Sequence, residues 1–214
     1  MKNSYEKTVI PKVTIDRLPL YFRTLKLTRD EGMEFISSEE LGQRLGITPE
    51  QIRKDLTLFG KFGKKGVGYH IFELISSMGK ILGLNNNWNI AIVGLGHFGW
   101  ALAHYRKFDT LGFKLVAMFD VDSNKIGQCI NGIKVSNLDC LQEVMQEHSI
   151  HIGIIAVSES DAQEVADKLV AAGVRGIWNF APRKIKVPNT VQIINEDLSI
   201  RLSSLSFYLS RQAQ

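Results

Sequence analysis

Cysteine is nearly missing from this 214-residue chain: Cys129 and Cys140 are the only two. Neither has metal-ligand spacing or belongs to a disulfide framework, so both read as reduced thiols. Long apolar runs are missing as well. Nothing approaches the roughly 18 residues that span a bilayer, and the N-terminus has no uninterrupted apolar h-region. These absences predict a cytoplasmic protein with no membrane partner. The sequence also contains no HExxH, CxxC or nucleophile-elbow motif, which removes the chemistries that such motifs announce. Of the five histidines, His97 sits in a glycine loop, His104 on the helix after it, and His148 and His151 flank a strand start. They form no acid–base constellation and read as structural. No catalytic residue and no metal ligand is expected.

An excess of charge of one sign is absent overall but present locally. The net charge is +4 and 44% of the residues are apolar, which describes a folded chain long enough for two modest domains. Residues 1–84 carry 14 Lys and Arg against 10 Asp and Glu, whereas residues 85–214 carry 12 against 12. Between Gln51 and His70 the balance sharpens to five cations (Arg53, Lys54, Lys61, Lys64, Lys65) against Asp55. Such a stripe can neutralise phosphates and release counterions.

The local pattern around that stripe is a DNA reader. Residues 14–31 predict a helix with Ile15, Leu18, Phe22 and Leu25 on one face and Gly32 as its stop; Pro19 is tolerated only in an opening turn, which moves the expected start toward Leu18. Ser37-Ser38-Glu39-Glu40 is a capping box opening a short helix through Leu41 and Leu45 to Gly46. Thr48-Pro49-Glu50-Gln51 is a second, with proline where no N–H is needed. Two short helices joined by a glycine turn are the helix-turn-helix pattern. Ile52, Leu56 and Phe59 should face the core, leaving Gln51, Arg53, Lys54 and Thr57 for base edges and phosphates. The glycine- and lysine-rich segment from Gly60 to His70 reads as the wing of a winged helix. The expected DNA-facing set is Ser38 on the preceding helix, Gln51, Arg53, Lys54, Thr57, and Lys61, Lys64, Lys65, Gly66 and Tyr69 of the wing.

Asn85-Asn86-Asn87 is linker-like and precedes a strand over residues 88–93. That strand runs into Gly94-Leu95-Gly96-His97-Phe98-Gly99, which opens a helix. The first glycine permits a tight turn, the second lets backbone approach a pyrophosphate, and the third allows close helix–strand packing. Residues 113–119 form a second strand ending at Asp120, whose carboxylate can accept both ribose hydroxyls and repel a 2′-phosphate, favouring NAD(H) over NADP(H). Asp122 is the alternative acid. Ser136 is expected to cap a helix through Glu147, and residues 150–157 read as a strand. Ser160 and Gln163 cap a further helix that stops at Gly173, before strands at 174–180 and 191–194. Alternating strands and helices with near-continuous apolar strands imply an α/β fold with a doubly wound parallel sheet. Ligand crevices in such sheets lie beyond the strand C-termini, which brings Val157 and Phe180 to the cofactor beside the glycine loop. Residues 198–211 predict a terminal helix with Leu198, Leu202, Leu205 and Leu209 on a stripe, to be covered by its own domain or by a second subunit. A sensor, a small NAD-dependent oxidoreductase and a CoA- or nucleotide-binding module with a degenerate DNA domain all remain open on these residues.

Blocks along nearly the whole chain resemble the Rex family of bacterial redox-sensing transcriptional repressors. They are Arg17-Leu18-Pro19-Leu20-Tyr21-Phe22-Arg23, Ser37-Ser38-Glu39-Glu40-Leu41-Gly42, Ile52-Arg53-Lys54-Asp55-Leu56, Phe59-Gly60 with Gly66-Val67-Gly68-Tyr69, the glycine motif, Phe119-Asp120-Val121-Asp122, Lys125-Ile126-Gly127, Trp178-Asn179-Phe180-Ala181-Pro182 and Asn195-Glu196-Asp197-Leu198. The resemblance implies a winged-helix DNA-binding domain over 1–84, an NAD(H)-binding Rossmann domain over 85–197, and a C-terminal helix over 198–214 exchanged between the subunits of a homodimer. It implies two-fold readout of an inverted-repeat operator, release by NADH, and competition from NAD+. It also implies a switch made by Tyr105 at the cofactor, Asp197 and Arg23. Leu198 stands where some relatives carry an aromatic residue able to pack on nicotinamide, and with His97-Phe98 it bears on the sensing threshold.

Overall fold

The computed structural model describes residues 10–64 and 66–212. The chain divides into two compact units, Met1–Asn86 and Asn87–Gln214.

The first unit contains helices α1 (Lys12–Asp30), α2 (Ser38–Leu45), α3 (Pro49–Thr57) and α4 (Ile71–Ile81). Its strands are β1 (Phe35–Ile36), β2 (Gly63–Lys64) and β3 (Gly68–His70), in the order β1-β3-β2. Both pairings are antiparallel, with Lys64 opposite Gly68 and Ile36 opposite Tyr69. This is a helix-turn-helix followed by a wing. Ser37 and Glu40 form the expected reciprocal cap of α2, and Gly46 ends that helix in the left-handed region at φ 66°. The expected second box is only half made. The Thr48 hydroxyl accepts from the Gln51 N–H, but the Gln51 side chain turns inward and donates to Asp55.

Two expectations for this unit are corrected, and one helix is added. Helix α1 begins at Lys12, so Pro19 lies in its interior rather than in its first turn. Pro19 sits on the exposed side, where water can serve the carbonyl that proline leaves without a donor. The buried face is Thr14, Leu18, Tyr21, Leu25 and Thr28, while Ile15 is 47% exposed. Helix α4, with Ile71, Leu74 and Met78 buried, starts directly after the wing and was not anticipated.

Asp55 explains the rotation of α1. Its carboxylate, 1% exposed, accepts hydrogen bonds from Thr14 (3.0 Å), Arg17 (2.6 and 2.8 Å), Tyr21 (2.7 Å) and Gln51 (2.8 Å). Polar side chains on α1 are thereby drawn to the inner face, and α3 is pinned across α1.

The second unit runs β4 (Trp88–Val93), α5 (His97–Ala103), α6 (Lys107–Thr110), β5 (Phe113–Asp120), β6 (Cys129–Ile130), β7 (Ile133–Asn137) and α7 (Leu141–Glu147). It continues with β8 (Ile152–Ile155), α8 (Ala162–Ala171), β9 (Gly176–Asn179), β10 (Gln192–Asn195) and α9 (Leu198–Gln212). The sheet order is β10-β9-β8-β4-β5-β7-β6, parallel except for the β6–β7 hairpin at one edge. Both faces are covered. Ala91 and Val93 join the core that includes Leu141 and Leu169, and Ile90 and Ile92 join the one that includes Ala103 and Phe108. Two-sided burial is why β4 is apolar at consecutive positions.

Two caps move. The β6–β7 hairpin keeps Ser136 inside β7, and Asn137 instead accepts from the Asp139 N–H at 3.0 Å. Ser160 donates to Asp161 and does not cap α8. Gln163 meanwhile bonds the backbone of Lys186 through both ends of its amide. Helix α9 forms, and its Leu202, Leu205 and Leu209 are 69%, 51% and 57% exposed. The side chain of Leu198 lies outside the described residues.

Burial pushes the Asp55 carboxyl up, but the bonds from Arg17, Tyr21, Gln51 and Thr14 outweigh it and hold it at about 2. The same carboxylate raises the Arg17 guanidinium, and burial followed by Asp55 raises the Tyr21 hydroxyl. A depressed carboxyl stabilises the fold fully above its ordinary value and loses that contribution as the pH falls through its folded value. The acid loss attributable to Asp55 should therefore run from pH 3.8 down to about 2. Asp55→Asn should destabilise the first unit by about 3 kcal/mol, the low end for a broken buried pair because Arg17 keeps partial access to water. Urea unfolding of the full-length variant measures this, and an unchanged midpoint would contradict it.

Candidate functional site

The glycine loop between β4 and α5 is built by contact. Gly94 has φ 91°, and a Cβ there would come within 2.6 Å of Val157 Cγ1 and 2.7 Å of the Ala156 carbonyl. A Cβ on Gly99 would run into the Gly94 carbonyl. Gly96 is different: nothing lies within 4 Å of its Cβ position. The outer two glycines thus press α5 against the ends of β4 and β8, and the middle one leaves a bare cradle at the mouth. No side chain caps the N–H groups of α5.

Asp120 closes the loop from the β5 side. Its Oδ2 accepts the Leu95 N–H at 2.7 Å and Lys125 Nζ at 3.1 Å, and its Oδ1 accepts the N–H groups of Val121 and Asp122 at 2.8 and 2.9 Å. Burial raises the carboxyl, but the N–H groups of Asp122 and Leu95 together with Lys125 carry it below its ordinary value. Asp120 lines a cavity of about 250 Å³ with Gly94, Val121, Leu138, Val157 and Lys168. Asp122 is not in that lining; it accepts from Asn124.

On the other side of the loop runs a line of rings. Phe98 packs on Phe180 at 4.8 Å, Phe180 on Trp178 at 4.5 Å, Trp178 on Phe108 at 6.3 Å, and Phe108 on Tyr105 at 5.2 Å. Phe98 and Tyr105 remain partly exposed. Asn179, fully buried, holds the β9 end of this line by donating to the carbonyl of Arg183 and to Asn195 Oδ1, and by accepting the Ala181 N–H. Trp178 donates to Glu196 at 3.3 Å, next to Asp197. Asp197 accepts from the N–H and hydroxyl of Ser199 in the first turn of α9, and these bonds lower its carboxyl. Among the described residues, no hydrogen bond joins Asp197 to Tyr105. Arg23 is exposed on α1.

In the first unit an open cleft of about 670 Å³ lies between the start of α2, α3 and the wing. Of the expected DNA-facing residues, Ser38, Arg53, Thr57, Lys61, Lys64, Gly66 and Tyr69 line it. Lys54 is exposed on α3 but outside the lining, Gln51 is turned to Asp55, and Lys65 lies outside the described residues. Glu39 and Phe62 also line the cleft and were not foreseen. Arg53 donates to Ser38 Oγ at 2.7 Å and to Glu39 Oε1 at 3.1 Å. Among the described residues, no cluster of His, Cys, Asp and Glu could hold a metal ion, and no helix is long and apolar enough to cross a membrane.

Comparison with known proteins settles the family. The chain is 46% identical to the redox-sensing transcriptional repressor Rex of Syntrophobacter fumaroxidans, over 94% of this chain and 96% of that protein. It is 47% identical to the Rex of Carboxydothermus hydrogenoformans, over 94% and 97%. The chain belongs to the Rex family. These Rex relatives are named as transcriptional repressors, not as enzymes. Residues 85–183 match the "CoA binding domain" family and residues 9–57 the "Putative DNA-binding protein N-terminus" family. RSP in complex with β-NAD+ and operator DNA matches with a TM-score of 0.91 and 38% identity, over 97% of this chain and 95% of that one. RSP in complex with β-NADH, a Rex-family repressor, matches at 0.89 and 37%, over 97% of each.

The glycine geometry separates two neighbouring substitutions. Gly99→Ala should destabilise the second unit by about 1–3 kcal/mol, since helix and strand must part to admit the methyl group. Gly96→Ala should stay within about 0.5 kcal/mol of the parent. Thermal unfolding of the two variants side by side measures the difference; equal losses would mean that Gly99 does not set the helix–strand distance.

Proposed function

We propose that this chain is a redox-sensing repressor whose first unit reads operator DNA and whose second unit holds NAD(H), with NADH releasing the DNA. The observation that carries the reading is the pairing, in one chain, of a bare glycine cradle over Asp120 with a helix-turn-helix cleft lined by Arg53 and wing lysines. The complexes of RSP with NAD+ and operator DNA and with NADH support the same assignment.

The residues present fit the dinucleotide. The Cβ-free space at Gly96 and the uncapped N–H groups of α5 suit a pyrophosphate, Asp120 suits a ribose diol, and the cavity beside Val121, Leu138 and Val157 suits an adenine. All four acceptor positions of Asp120 are already in use, so a ribose would share the carboxylate with Lys125. Phe98, Phe180 and Tyr105 form the wall toward the other end. When bound, oxidised nicotinamide brings a positive charge that the reduced form lacks. In this reading Asp197 responds to the difference by exchanging partners between Tyr105 and Arg23. The exposed Leu202, Leu205 and Leu209 of α9 support a homodimer in which this helix is covered by the partner, and two-fold symmetry matches an inverted-repeat operator. Reading operator DNA places this regulator in the cytoplasm.

Fluorescence anisotropy with a duplex from upstream of the chain's own operon, at fixed salt, tests the reading. Tight binding lost with micromolar NADH but kept with NAD+ is the expected result, and binding indifferent to both overturns the redox role. Tyr105→Phe and Asp197→Asn should each shrink the NADH response, which ordinarily lies between roughly 5- and 150-fold, while leaving basal DNA binding measurable. A wild-type response in both variants rules out this switch.

A further inference from the structure

The cleft of the first unit contains a carboxylate where a DNA reader has least use for one. Glu39, in the first turn of α2, is the single acid among the described residues that line it. It is not idle. Arg53 Nη1 donates to Ser38 Oγ at 2.7 Å and to Glu39 Oε1 at 3.1 Å, and Ser38 Oγ donates to Glu39 Oε2 at 3.2 Å. The three groups close a ring of hydrogen bonds between α2 and α3. Ser38 is 7% exposed and serves as its fixed post, whereas the side chains of Arg53 and Glu39 are 48% and 62% exposed. Glu50 stands further off, 3.9 Å from Nη2, so the hydrogen bonds of the clamp engage Nη1 alone.

Two consequences follow from charge and geometry. A carboxylate beside the duplex repels phosphates of any sequence, and it occupies a cation that would otherwise neutralise one. Both effects weaken background binding. A guanidinium fixed by Ser38 and Glu39 also loses less freedom on forming the two parallel bonds that a guanine edge offers. For the right sequence this saving offsets the repulsion, whereas arbitrary DNA bears it in full. We propose that Glu39 is a specificity-determining residue of this interface, one that suppresses binding to arbitrary DNA while holding Arg53 for a base edge.

This rests on the DNA-reading role of the first unit, and the test separates the two. Duplexes are selected from a random library by the wild-type chain. Their affinities are then compared with those of scrambled duplexes for wild type, Glu39→Gln and Glu39→Asp across a salt series. Glu39→Gln should bind scrambled DNA on the order of tenfold more tightly, as expected for one released charged donor, with a salt slope steeper by about one. Its affinity for the selected duplex should change by less than about threefold, so the specificity ratio falls. Glu39→Asp, which keeps the charge, should keep the weak background. An unchanged ratio in Glu39→Gln, or a background in Glu39→Asp as strong as in Glu39→Gln, overturns the proposal and leaves the DNA role standing. A wild-type chain that selects no sequence overturns both.

Discussion

A single buried carboxylate fixes how the second helix of the helix-turn-helix, α3, is presented. Asp55 lies on α3 between residues that meet the core and residues that line the cleft, and it is bonded to α1 by Thr14, Arg17 and Tyr21. Burying a charge is costly unless every lone pair is met. Here the donors come from two helices, so the cost is offset only when α1 and α3 have their native crossing. Arg53, two residues before Asp55, inherits its direction from that crossing. The hydrophobic residues around it, Leu18, Leu25, Ile52 and Leu56, provide attraction without choosing a register. Asp55 chooses it, because no sliding of α3 along α1 keeps all these donors in reach.

The second unit repeats the device. Asp120 gathers the Leu95 N–H from the loop after β4, two N–H groups from its own turn, and Lys125 from further along. The glycine loop is thus held at its open end by charge-assisted bonds and at its closed end by contacts too short for a Cβ. Asn179 does the same work across β9 and β10 with a neutral amide. In each case a polar residue at the end of a strand ties the neighbouring turns together through bonds made largely to backbone groups.

How much of this was legible in the chain depended on whether the signal was local. The capping box at Ser37, the glycine turn at Gly94 and the strand into Asp120 are decided by neighbours within a few residues, and they were readable. Ser136 and Ser160 failed as caps because the same local pattern was outcompeted, by strand pairing in the β6–β7 hairpin and by Asp161. Pro19 failed as a helix start because packing of the turns on either side of it prevails over propensity. Gln51 reads as a DNA-facing group from its type, and nothing local marks Asp55 as buried; only the position of α1, 38 residues away in sequence from Asp55 at Arg17, buries Asp55, which in turn draws in the Gln51 side chain. Helix α4 was hidden by the wing just before it. Within the cleft, lysines and Arg53 announced themselves by charge, whereas Glu39 was spent in the reading of a cap.

A sensor also has to move its equilibrium far enough to matter. Turning a repressor from 99% bound to 99% free needs roughly a 10⁴-fold difference in ligand affinity between the two states. Asp197, the carboxylate proposed to sense the nicotinamide, is exposed, so water and salt would screen its response to one positive charge. A coupling of about 150-fold, the upper end for a single site, falls short by two decades. Two such sites acting on one operator-bound dimer multiply to about 2 × 10⁴ and suffice. The proposed homodimer is therefore more than a match to a palindromic operator: with one site per chain, it is how a modest electrostatic difference becomes a switch. In the proposed dimer the exposed apolar side of α9 would supply what a screened carboxylate lacks, a packing surface whose burial can differ between two arrangements of the subunits.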